Sequence, residues 1–425
     1  MNWLKFNRKI LEPRIVKRSL TVGLLLLTPL LSGCWDRLEI EDRAVILAIA
    51  IDKATKEDIL KLEDKPGGGN ITSIGENTQN SPLGNIKVTV QIAVPGRIPL
   101  GPGGGTGGPS KPEQKPVWIM SITGQTINEA LVKLQQRMAD RLFFGHLRVI
   151  VVSEEVAKLG IADFNDFFRR QPQIRRTVWM TVSDGMAEQF LTVMPQLERV
   201  PTLYLQGTLE HGVKLGKIPN DFVGVFWSAT SAKGQQGYLP YVRLTSKDSY
   251  EVAGLAYFLG DRMVGTTSPL EVGYFMGIKS LNPGGYSVLL NMPEAKSTVM
   301  FHATHRNAKI KMNIVDGIPH FTINIQLEGD LSEKSNEKVN FNIETIKELQ
   351  SQLEKGAMQG YKNLIKKTQE KGSDIFGFGE IVRARQPAYW KRNIRTKENW
   401  IKMYKQVTYE FNLNMRIRRI GAKSS

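Results

Sequence analysis

The sequence predicts a chain of α+β and α/β type, with helices packed on mixed sheets and three domains in series. Three observations carry this. Between Val117 and Val182, strand-like apolar runs alternate with helix-like amphipathic ones. Beyond Lys309, two alternating strands meet at Asp316-Gly317, the residue pair of a two-residue hairpin turn. Finally, a long helical period over 343–370 is followed by a strand of strict alternation at the C-terminus. The expected divisions are a leader at 1–33, an α/β domain at 34–200, a middle α+β domain at 201–296 and a C-terminal α+β domain at 297–425.

The leader comes first. Lys5, Arg8, Lys9, Arg14, Lys17 and Arg18 stand against Glu12 alone, and Leu20 to Leu31 is almost wholly apolar. A basic stretch before a short apolar one is the layout of a secretory signal. The apolar run falls short of the roughly 20 residues a helical span needs. It ends in Leu31-Ser32-Gly33-Cys34, which resembles the lipobox of bacterial lipoproteins, where small residues precede a cysteine that is lipidated before cleavage. Cys34 is the only cysteine in 425 residues. It can form no internal disulfide and no multi-thiolate zinc site. The lipobox resemblance makes residues 1–33 a signal peptide and Cys34 the point of lipid attachment.

Ala44 to Ile51 is a continuous apolar run, read as a fully buried strand. Lys53 to Asn85 is polar and broken by "KPGGGN" and "SPLGN", which reads as a loop. Ile86 to Val94 alternates as a strand. The Gly/Pro-rich stretch 95–116 cannot bury enough apolar surface to offset its chain entropy, so it reads as a flexible loop. Val117 to Ser121 is a strand. Thr126 to Glu129 forms a capping box that opens a helix running to about Asp140. His146 to Val152 is a strand, Glu154 to Leu159 a short helix, "IADFNDFFRR" a second helical piece, and Thr177 to Val182 another strand.

Residues 201–250 read as mixed, with turns at "KLGKIPNDF" and "YLPYVRL". Val252 to Phe258 and Arg262 to Gly265 form a hairpin through "LGD". Ile310, Met312 and Ile314 alternate before Asp316-Gly317, and Phe321, Ile323, Ile325 and Leu327 share one face after it. Ile346, Leu349, Leu353, Ala357, Tyr361 and Leu364 make the apolar stripe of the long helix. In the last strand Val407, Tyr409, Phe411, Leu413, Met415 and Ile417 should face a core. Thr408, Glu410, Asn412, Asn414 and Arg416 should face water.

Enzyme signatures are absent from the order of residues. No His-Glu-x-x-His or Gly-x-Ser-x-Gly occurs, and "GVKLGKI" (Gly212 to Ile218) is one residue short of a phosphate loop and lacks its hydroxyl. His302 and His305 sit in a strand, where positions three apart point to opposite faces, which argues against a shared metal. With 41% hydrophobic and 23% charged residues the chain is globular in composition. Six of its 57 Lys+Arg and one of its 41 Asp+Glu lie in residues 1–33, so the remainder carries a formal +11. Twelve Lys/Arg against Glu398 and Glu410 fall between Ile381 and Ser425, interleaved with Tyr389, Trp390, Trp400 and Tyr404. In an exported chain this pattern fits a solvated basic face, or one that meets anionic headgroups or an acidic protein, rather than nucleic acid.

Three stretches then resemble one family, the Ger(x)C proteins, which are C subunits of nutrient germinant receptors of bacterial spores. They are "GCWDRLEIEDRAVILAIAID" (Gly33 to Asp52), "RLFFGHLRVIVVSEEVAKLGI" (Arg141 to Ile161) and "DIFGFGEIVRARQPAYWKRNIRTKENW" (Asp374 to Trp400), the last with Phe376-Gly-Phe-Gly379 and Pro387…Trp390. The resemblance spans the chain beyond Cys34. Residues 53–85 and 95–116 depart from it as expansions between strands. It implies three α/β domains, no catalytic residues and no cofactor. It also implies a lipoprotein on the outer face of the inner spore membrane, acting with membrane-embedded A and B subunits to start germination. The alternatives from other classes are a substrate-binding lipoprotein of an ABC importer, which should have two similar lobes about a cleft, and a cell-wall enzyme.

Overall fold

A strand that is apolar on both faces is stable only inside a sheet covered on both sides, and β1 (Arg43–Lys53) occupies such a place. The computed structural model describes residues 42–63, 84–95, 115–193, 198–246, 248–281, 285–292, 296–336 and 341–420. Cys34, the leader and most of the Gly/Pro-rich stretch lie outside the described residues. Among these, nine strands form the first sheet, in the order β3-β2-β1-β5-β6-β7-β8-β9 with β4 against β1.

After β1 come α1 (Lys56–Glu63), β2 (Ile86–Ala93), β3 (Val117–Gly124), α2 (Ile127–Gln135), β4 (Arg141–Phe143) and β5 (Val149–Ser153). Then follow α3 (Glu154–Leu159), α4 (Ala162–Arg170), β6 (Trp179–Ser183), α5 (Gln189–Thr192), α6 (Pro201–Lys214) and α7 (Val223–Ser231). β7 (Tyr238–Ser246), β8 (Ser249–Leu259) and β9 (Arg262–Thr266) complete the sheet. β1, β5, β6 and β7 run parallel, and the flanking pairs β1–β2, β2–β3, β7–β8 and β8–β9 are antiparallel. Strand alternation divides the core. Ile49, Ile51, Ile150 and Val152 pack with α2, α3, α4 and α7, while Ala48, Ala50, Val149 and Val151 pack with α5 and α6. The sheet does not end at residue 200, since β6 pairs with β7 at Val182–Tyr241.

The second sheet has the order β10-β11-β12-β13, from β10 (Ser287–Met292), β11 (Ser297–Val315), β12 (Ile318–Lys334) and β13 (Thr408–Ile420). Its β12–β13 pair is parallel and the others antiparallel, so both sheets are mixed with helices packed on them, as expected. The β11–β12 turn is Asp316 (φ 50°) and Gly317 (φ 78°), two left-handed residues as a type I′ turn requires. Helix α8 (Pro269–Ile278) precedes this sheet, and α9 (Ile343–Lys371) crosses its core face. Between α9 and β13 lie α10 (Phe378–Arg385), α11 (Pro387–Tyr389) with a π-helical turn (Trp390–Ile394), and α12 (Lys397–Tyr404). Tyr238, Leu255 and Tyr257 of the first sheet belong to the same apolar cluster as α8, α9 and β12, so the two sheets share a core.

Three expectations need correction. Lys56–Glu63 is helix, not loop, because Thr55 and Asp58 each accept from the other's backbone N–H (3.2 and 3.0 Å) and so cap it. Helix α2 stops at Gln135 instead of Asp140: the Gln135 amide donates to Asp140 O (2.9 Å) and accepts from Leu142 N (2.9 Å), reversing the chain into β4. His302 and His305 do not point to opposite faces. A bulge between Ala303 and His305 inserts a residue and leaves both imidazoles exposed.

Candidate functional site: the C-terminal knot and its basic surface

The stretch after α9 must leave a helix and re-enter at an angle, and glycine supplies the backbone for it. Gly372 ends α9 at φ 68° and Gly377 precedes α10 at φ 77°, both left-handed. Between them Asp374 is fully buried. Its Oδ1 accepts from Gly377 N (2.9 Å), and its Oδ2 accepts from Gly379 N (2.9 Å) and Trp400 Nε1 (3.0 Å). A side chain at Gly379 would place its Cβ 2.4 Å from the Trp400 ring, so only glycine fits.

Around this carboxylate the aromatics close ranks. Phe376 and Phe378 stack at 5.3 Å, Phe378 stacks on Phe321 of β12 at 4.5 Å, and Trp390 meets Trp400 at 5.8 Å. Burial lifts the Asp374 pKa from 3.8 to about 6, against the N–H groups that hold its charge. Nearby, Lys279 donates to Phe376 O (3.2 Å), and burial lowers its pKa although Asp374 and Asp221 raise it. Asp221 is buried with neither oxygen hydrogen-bonded among the described residues, and burial raises its pKa well above the usual value.

The twelve basic residues divide from the aromatics by the helix period. Tyr389, Trp390, Trp400 and Tyr404 are buried, while Arg383, Arg385, Lys391, Arg392, Arg395, Lys402 and Lys405 are exposed on α10, α12 and the π turn. The rings therefore offer no face to a nucleobase, and the exposed charge of the surface is mostly cationic. Arg383 pairs with Glu380 (2.6 Å) and Arg418 with Glu328. Lys397 is half-buried and donates to Thr230 O (2.7 Å). Lys423 lies outside the described residues.

The remaining sequence candidates are placed as follows. Gly212 to Ile218 is the end of α6 and its turn, where Gly216 N, Lys217 N and Ile218 N bond back to Val213 O and Gly212 O, leaving no nest for phosphate. Among the described residues, no three His, Cys, Asp or Glu cluster to hold a metal, and no helix is long and apolar enough to cross a membrane. The importer reading needs two similar lobes, whereas a nine-stranded and a four-stranded sheet here share one core. Sequence reasoning missed Asp221, Lys279 and Asp374. Their grouping depends on long-range packing, and "KIPNDF" reads only as a turn.

Two sequence profiles match the chain: a spore germination protein N-terminal domain over residues 36–244, and a spore germination B3/GerAC-like C-terminal domain over residues 253–421. Similar curated proteins include spore germination protein KC of Bacillus subtilis, 25% identical over 97% of this chain and 98% of its own length. Spore germination protein GerQC of Bacillus cereus is 23% identical over 71% and 82%. The solved structure of the GerBC protein superposes with a TM-score of 0.53 at 18% identity, over 79% of this chain and 94% of that one, a likeness of fold.

Proposed function

The chain belongs to the GerAC family of spore germination proteins, and from that premise we propose that it is the lipid-anchored C subunit of a nutrient germinant receptor. It acts at the outer face of the inner spore membrane, with membrane-embedded A and B subunits, and its part is assembly and signalling rather than catalysis. The observation that carries this is a junction: the family's N-terminal profile begins at residue 36, two residues after the lipobox cysteine. The stretch matched to the family thus starts where a lipid anchor would end. The exposed cations of α10 and α12 support the same reading, since such groups favour anionic headgroups by about 1 kcal/mol each near a membrane surface.

Cys34→Ala tests it. A diacylglyceryl thioether places two acyl chains on one sulfur, and two chains anchor stably where one does so only marginally. The variant should lose incorporation of labelled lipid and keep its leader uncleaved or be released. Spores carrying it should germinate more slowly on the responsive nutrient. Wild-type lipid incorporation would overturn the anchor, and unchanged germination after deletion of the whole gene, with redundant receptors removed, would overturn the receptor role.

A further inference from the structure

Between α8, α9 and the β10–β11 pair lies a cavity of about 300 Å³ that neither the knot nor the basic surface uses. Its walls include the buried Leu290, Phe301, Leu353 and Met415, and the Tyr274–Tyr361 ring pair, 5.1 Å apart, also lines it. Two of its lining residues, Leu270 and Leu289, are 41% and 55% exposed, large apolar groups that the fold leaves in water.

Gly356, itself exposed, lines the open side of the cavity from the middle of α9. A Cβ there would meet nothing within 4 Å, whereas Gly360, one turn on, is required because its Cβ would stand 2.2 Å from the Tyr274 ring. A glycine inside a helix destabilises it relative to alanine, and no neighbouring group of the chain calls for Gly356. What its missing side chain provides is room.

Charge narrows the occupant. Among the described residues no Asp or Glu lines the cavity, while Arg306 does, donating to Gly273 O (3.1 Å) and Leu281 O (2.9 Å) with its guanidinium over the Tyr286 ring at 5.8 Å. An ammonium entering here would lose its water with no carboxylate to receive it, and would face a guanidinium. An apolar hollow with few polar groups is the make-up of a small-molecule site, and its size lies at the lower end of the usual range of about 300–1,000 Å³. We propose that this cavity binds a small molecule with an aliphatic body and no positive charge, a neutral or carboxylate-bearing alkyl compound. A free molecule and the acyl chain of a membrane lipid share that chemistry.

The test uses residues 35–425, which contain the whole compact unit from Ala44 onward, labelled at the methionine methyls. Octanol, octanoate and octylamine are titrated while the Met415 methyl resonance is followed. Octanol and octanoate should shift it saturably, with octylamine at least tenfold weaker. Phosphatidylglycerol vesicles form the second arm: a shift there assigns the occupant to lipid, and a shift with the soluble compounds alone assigns it to a free molecule. Gly356→Leu should raise the Tm and still weaken octanol at least tenfold, and Gly356→Ala should do both to a smaller degree. Octylamine binding as well as octanol, no binding by any of the three, or full binding by Gly356→Leu overturns the proposal.

Discussion

Asp374 shows what one residue can decide in this fold. The N–H groups of Gly377, Phe378, Gly379 and the Trp400 indole favour its charged form, yet burial outweighs them and holds its pKa at about 6 rather than 3.8. An acid whose pKa is raised on folding binds its proton more tightly in the native state, so it contributes most to stability below pH 3.8 and loses that contribution as pH rises through 6. At 1.36 kcal/mol per unit, the loss is about 3 kcal/mol. Asp374→Asn does not titrate. Although the amide would oppose a nitrogen to the N–H donors now at Oδ2, its stability deficit relative to wild type should shrink by up to about 3 kcal/mol between pH 4 and 7. Urea melts across that range measure it, and parallel pH profiles would refute the raised pKa. The Phe376 to Gly379 stretch was legible in the sequence as part of the family resemblance. Asp374 was not, because nothing in residue order tells that a carboxylate will meet amides three and five residues on and an indole twenty-six away.

At the scale of elements, legibility followed periodicity. β13 is the clearest case: Phe411 and Met415 are buried and Thr408, Glu410, Asn412, Asn414 and Arg416 exposed, the register its alternation predicts. Phe411 stacks on Tyr361 of α9 at 5.2 Å. Phe411→Asp would bury a charge without a partner, a loss beyond about 4 kcal/mol that should abolish soluble expression. Thr408→Asp can still accept from His320, whose Nδ1 now lies 2.8 Å from the Thr408 hydroxyl, and should shift stability by less than about 1 kcal/mol. Expression and melting of the two variants check the register, and equal outcomes would refute it. The helices α6, α7 and α8 were illegible for the opposite reason. In α8, Val272, Phe275, Met276 and Ile278 are buried on more than one side, against β8 as well as α9, so no single apolar stripe marks it. Its capping box, Ser268 with Glu271, was the signal that could have found it.

For the whole molecule, the question is whether 34–200, 201–296 and 297–425 unfold as separate domains. The contacts argue that they do not. Ser373 donates to Phe258 O (2.6 Å), Gln236 N donates to Asp374 O (2.8 Å), and Gly234 exchanges bonds with Glu380, donating to its carboxylate (2.8 Å) and accepting from its N–H (3.1 Å). These bonds tie the loop before β7, and β8 itself, to the segment after α9. They flank the cluster in which Tyr238, Leu255 and Tyr257 complete the core of the second sheet. Removing residues before 253 would strip Tyr238 from that core and leave Asp374 O without its donor, and removing residues after 244 would leave β7 without β8. Neither half is then a finished core. The expected outcome is one calorimetric transition for residues 35–425, with calorimetric and van't Hoff enthalpies in agreement. The piece 253–425 made alone should be insoluble or molten. Two resolved transitions, or a folded 253–425 with native near-ultraviolet circular dichroism, would show instead that the halves are independent and that the shared core is only a contact between them.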